Sequence, residues 1–142
     1  MYIKPFLIFI LLAVTSFSAQ AQAKQDEASV LAPVKLQLKG YNNRDIDTFA
    51  KAFSDTVKVY RQPGVLSYQG REELRKRYGQ MFANTPELHC EVVNRIIAGN
   101  VVIDHEKVRR SKDQPRFDAI AVYRVKDNQI VEVTFISPDK PQ

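Results

Sequence analysis

The side chains with the widest chemical reach in this sequence are His89, His105, the lone cysteine Cys90 and three tyrosines in regularly patterned segments, Tyr60, Tyr78 and Tyr123. Histidine changes charge near neutrality without a large environmental shift, so His105 with a tyrosine hydroxyl beside it can serve as a general acid or base. The same imidazole can equally be a core group held by a tyrosine or a carbonyl. Arg61 offers a two-pronged grip on a carboxylate or sulfate, or else a rim ion pair with a nearby acid. Cys90 has no histidine at a spacing that would activate it and reads as a small core thiol. Two imidazoles on separate segments and a single thiol make no metal site, and no cofactor is implied.

Positioning these groups requires elements, and the apolar spacing supplies them. Val30, Leu31, Val34, Leu38 and Tyr41 recur at helical intervals, with Pro33 in the first turn, so a helix is expected from about Leu31 to before Asn42. Asp45 is a good N-cap for a short helix carrying Ile46, Phe49, Ala50 and Phe53 on one side. A third helix is expected from Gly70 to about Phe82, with Glu72 and Glu73 in its first turn. The period then becomes alternating. Strands are expected over Val57–Arg61, Val65–Tyr68, His89–Ala98, Val101–Arg109, Arg116–Val125 and Gln129–Ser137, the last four joined by polar turn chemistry. Helices first and a meander afterwards is an α+β layout, one curved, mostly antiparallel sheet with three helices packed on one face.

The pleat sorts each strand into two faces. Phe117, Ala119, Ala121, Tyr123 and Val125 share one, and the small Ala119 and Ala121 between bulkier neighbours leave a hollow. On the preceding strand, Ile103 and His105 share a face that is taken to adjoin it. The expected ligand pocket is therefore Tyr60, Arg61, Tyr78, Phe82, Ile103, His105, Ala119, Ala121 and Tyr123, suited to a small apolar or amphipathic molecule. Helix side chains from Leu38, Phe49 and Phe82 filling the hollow are the competing expectation. Depending on register, the opposite face carries Ile120, Val122, Ile130 and Ile136, which points to a homodimer through the sheet.

Composition bounds the rest. The 142 residues are 44% hydrophobic and 26% charged, which excludes disordered and fibrous classes, and one cysteine excludes an intramolecular disulfide. Lys4, the apolar run Phe6 to Val14 and the patterns Ala19-Gln20-Ala21 and Ala21-Gln22-Ala23 read as a secretory signal peptide over residues 1–23, followed by a single domain over 24–142. The run is too short for a permanent membrane anchor, so a periplasmic or secreted location is expected. The formal net charge of +5 does not mark a nucleic-acid binder, because Arg71, Arg75, Lys76 and Arg77 are diluted by Glu72 and Glu73 and no aromatics interleave them.

The order of several local phrases carries a resemblance. Tyr41-Asn42-Asn43-Arg44-Asp45-Ile46-Asp47 precedes Phe53-Ser54-Asp55, then Tyr68-Gln69-Gly70-Arg71-Glu72-Glu73-Leu74, Val101-Val102-Ile103-Asp104-His105-Glu106, and Ala121-Val122-Tyr123-Arg124-Val125 before Gln129-Ile130-Val131-Glu132-Val133. From about Val30 to Ile136 the chain resembles the NTF2-like superfamily, the cone-shaped α+β fold of nuclear transport factor 2, ketosteroid isomerases, limonene-epoxide hydrolases, scytalone dehydratases and SnoaL-type polyketide cyclases. The resemblance implies Arg61 where the isomerase base stands, Gln37 where its oxyanion tyrosine stands and Ala121 where its protonated acid stands; only Tyr78 matches a supporting residue. An arginine, with its pKa above ~12, cannot take a carbon-bound proton near neutral pH. The implied function is a SnoaL-like protein binding a small molecule, or an isomerase-, dehydratase- or cyclase-like enzyme using His105 with a pocket tyrosine.

Overall fold

Helical and alternating periods separate cleanly along the chain, and the computed structural model, which describes residues 26–138, follows that division. Helix α1 runs over 26–43, α2 is Ile46–Lys51 and α3 is Arg71–Asn84. The strands are β1 Phe53–Arg61, β2 Val65–Gln69, β3 His89–Ala98, β4 Val101–Arg109, β5 Phe117–Lys126 and β6 Gln129–Ile136. The expected signal segment lies outside the described residues. Helix α1 already holds residues 26–30, so Pro33 sits in its interior, buried, and not in its first turn. Its missing N–H deprives the Ser29 carbonyl of a helical partner, a loss that packing of the Val34 and Leu38 side outweighs.

The six strands form one sheet in the order β2-β1-β6-β5-β4-β3, antiparallel throughout except for the parallel β1/β6 pair. The β5/β6 hairpin turns through Asp127 and Asn128, both at positive φ, the backbone that a two-residue turn of right-handed twist demands. The helices cover one face. There Phe49 packs 4.4 Å from Tyr78 and 5.5 Å from Phe82, and Tyr41 lies 5.8 Å from Phe82, centroid to centroid. Asp45 caps α2 as expected, accepting hydrogen bonds from the Asp47 and Thr48 amides. Gly40 lets the two short-linked helices meet, since a Cβ there would stand 2.3 Å from the Phe49 amide nitrogen.

Two of the register irregularities decide which side chains of β3 and β6 face the helices. Register slips by one residue at Val93 in β3 and at Val131 in β6, and each such bulge reverses the inward and outward parity of the strand beyond it. Arg95 therefore points inward opposite Asp104. Ile130, expected on the outer face, is instead fully buried in the core beside Val125. Ile120, Val122 and Ile136 lie on the outer face, half-buried. At the free edge of β3, the Asn42 amide from the end of α1 donates to the Cys90 carbonyl at 2.9 Å and accepts from the Cys90 N–H at 2.7 Å.

Candidate functional site

Between helices and sheet lies a cavity of about 290 Å³, near the lower end of the range for small-molecule sites. Its walls come from α1 (Gln37, Leu38, Tyr41), α3 (Arg77, Tyr78, Met81) and the inner faces of β1 to β6. Of the expected pocket residues, Arg61, Tyr78, Ala119 and Tyr123 line it. Ala121 is fully buried on the same face, and Phe82 belongs to the aromatic core rather than to the wall.

Tyr60, Ile103 and His105 do not line the cavity. The inward residues of β1 are Val57 and Val59, followed by Arg61 at the cavity wall, which turns Tyr60 outward. In β4 the inward residues are Val102, Asp104, Glu106 and Val108, so Ile103 and His105 occupy the outer face. There His105 Nε2 lies 2.6 Å from Asp118 Oδ1, with the imidazole 38% exposed. The phase of β4 is ambiguous from its own residues, because apolar side chains occur on both faces and two carboxylates look like a solvent face. Partners elsewhere reverse that reading. Ala119 stands across from Glu106 and Ala121 across from Asp104, so the hollow left by the two small residues houses the two acids.

Glu106 is the group that sequence reasoning missed. It is only 6% exposed, lines the cavity, and accepts a 3.0 Å hydrogen bond from the Tyr123 hydroxyl, which in turn accepts from Gln37 Nε2 at 3.1 Å. Burial pushes its carboxyl up to about 7; the Asp104 carboxylate adds to the rise, while the hydrogen bonds from Tyr123 and Cys90 and the Arg95 guanidinium pull it down. Asp104, with no exposed surface, is gripped at both oxygens by Arg95, at 2.6 Å and 2.6 Å. That fork ties up both oxygens of Asp104 in a structural pair with Arg95, while Glu106 faces the cavity.

The thiol and the phenols of the wall stay protonated. Burial drives the Cys90 thiol far up, with the neighbouring Glu106 charge adding to it, so this thiol is a wall donor and not a nucleophile. Burial likewise raises Tyr78 and Tyr123 well above the usual phenol value and Tyr68 to about 12, leaving each as a hydroxyl donor near neutrality. Among the described residues no three His, Cys, Asp or Glu side chains converge as a metal-binding set.

Comparison with known proteins agrees with this architecture. Residues 34–133 match the SnoaL-like domain profile. A cystatin-fold protein from Novosphingobium aromaticivorans is 27% identical, with a TM-score of 0.68, over 75% of this chain and 97% of that one. A candidate ketosteroid isomerase from Kribbella flavida superposes with a TM-score of 0.69 at 16% identity, over 82% of this chain and 83% of that one. An LEH-like epoxide hydrolase from M. tuberculosis gives 0.65 at 16% identity, over 79% and 84%. No curated protein matches the sequence.

Proposed function

From the premise that this chain belongs to the SnoaL-like domain family of the NTF2-like superfamily, we propose that its cavity takes up a small amphipathic molecule and that Glu106 moves a proton on it, in an isomerase- or lyase-type step. The observation that carries this is a buried carboxyl in the cavity wall, Glu106, poised at about 7 beside a second acid, Asp104, whose two oxygens are held by Arg95. A group that divides its time between base and acid near neutrality is suited to taking a proton from one atom and returning it to another. His105, outside the cavity, has no part in this step.

Glu106 as carboxylate would accept a proton from an activated carbon or hydroxyl of the bound molecule. Its protonated form, held in place by Tyr123, would return that proton or help a hydroxyl leave as water. Arg95 holds both oxygens of Asp104 in place, and Asp104 beside Glu106 raises the Glu106 carboxyl and so keeps it from becoming too weak a base.

A second reading is carriage without turnover. It is favoured by the Tyr123 hydroxyl, whose one proton is committed to Glu106 and which is therefore not free to stabilise a developing oxyanion. One experiment separates the two: wild type and Glu106→Gln are incubated in heavy water with a panel of enolisable ketones and β-hydroxy acids, and deuterium uptake and loss of water are read by mass spectrometry. The enzyme reading expects turnover of a panel member that rises with pH through about 7 and falls about 100-fold or more in the variant. Equal rates in both proteins would refute a role for Glu106, and panel members that bind unchanged would favour carriage. Export directed by residues 1–23 is part of the same proposal, and fractionation of the native host tests it.

A further inference from the structure

The charges around the cavity are unequal in number and separated in space. Among the described residues its lining contains three guanidinium groups, Arg61, Arg77 and Arg110, all exposed at the mouth, against one carboxyl, Glu106, in its depth. Arg77 spends its Nε on Glu73 at 2.7 Å. Among the described residues Arg61 and Arg110 have no carboxylate within ion-pairing distance. Two of the three are also fixed in place: Arg77 lies over the Tyr68 ring, 4.7 Å from its centroid, and Arg110 over the Phe117 ring at 5.1 Å. Tyr68 and Phe117 line the cavity themselves. Stacking on an aromatic face uses the flat of the guanidinium and leaves its N–H edge free to meet an oxyanion.

Resting on the reading that the cavity holds a small molecule, we propose that this molecule is an amphipathic carboxylate. Its charged head meets Arg61, Arg77 and Arg110 at the mouth, and its apolar body runs inward along Leu38, Met81 and Val108 toward Glu106. Geometry sets this polarity, since an anionic head at the inner end would meet the Glu106 carboxyl and a cationic head at the mouth would meet three like charges. Because the stacked guanidiniums are already oriented, little side-chain freedom is lost when the head docks. The reacting atom of such a ligand lies away from its carboxylate, within the apolar part that reaches Glu106.

Calorimetric titration with 4-phenylbutyrate, 4-phenylbutanol and 4-phenylbutylamine tests this with three bodies of one shape. The carboxylate is expected to bind about tenfold or more tightly than the alcohol, with the amine weakest and the preference shrinking as salt is added. In the Arg61→Gln, Arg110→Gln double variant the preference for the carboxylate should collapse while affinity for the alcohol is kept, which also shows the cavity intact. Equal affinity of the wild type for carboxylate and alcohol, or a preference that survives in the double variant, overturns the anion proposal and leaves the cavity reading standing. Failure of all three probes to bind removes the cavity reading and this proposal together.

Discussion

At the residue scale, a raised carboxyl is a statement about stability as well as about proton transfer. Glu106 titrates near 4.5 when unfolded and about 7 when folded. The folded chain therefore keeps a proton over an interval in which the unfolded chain has lost it, and the contribution of Glu106 to stability falls as pH rises from 4.5 through 7. The loss amounts to about 3 kcal/mol at most, at 1.36 kcal/mol per unit. Glu106→Gln should abolish that fall, and urea denaturation of wild type and variant on either side of the interval checks it. A wild-type curve that drops no more steeply than the variant's would mean the carboxyl is not buried as described. Little of this was legible beforehand, because Asp104 and Glu106 are polar residues in a strand whose neighbours Val101 and Ile103 are apolar. Only the opposing Ala119 and Ala121 hinted that something large must fill the inner face.

Several elements, by contrast, were readable almost to their ends: β3 and β4 coincide with the alternating runs and the Asp45 cap marks α2, whereas Phe53, expected on the stripe of that helix, opens β1 four residues before the expected Val57. Their periods and stop signals are local properties, carried by residues within the segment. The facing of a strand is not local once a bulge intervenes. Val93 and Val131 are ordinary β-branched strand residues, and nothing in their side chains announces the extra residue that turns Arg95 and Ile130 inward. Pro33 misled in the opposite direction, since a breaker can be carried inside a helix when it is itself packed on the buried face beside Val34 and Gln37. Helix contact also yields a firm expectation. With Phe49 backbone only 2.3 Å from the position a Cβ would take, Gly40→Ala must push α2 off α1, at about 1–3 kcal/mol for overpacking. Thermal melting reads the loss, and an unchanged midpoint would show that the helices meet less closely.

For the whole molecule, the described residues leave one sheet face under helices and the other uncovered. On the uncovered side Ile96, Ile103 and Val122 stand in adjacent register across β3, β4 and β5, with Ile96 55% exposed. Beside them lie Ile120 and Ile136. The proposed homodimer would join two copies through this surface, leaving both cavities on the outside of the pair. Ile103→Glu, at the centre of the patch and remote from the cavity, should convert a dimer into a folded monomer in light scattering. A wild-type protein that is monomeric at micromolar concentration would end the proposal. The other vulnerable boundary is the border of β3, where hydrogen-bonding groups lie open to any passing extended chain. By occupying both backbone groups of Cys90 with one amide, Asn42 imitates the next strand without being one. It acts there as a stopper, denying fibrillar growth the foothold from which end-on stacking would begin.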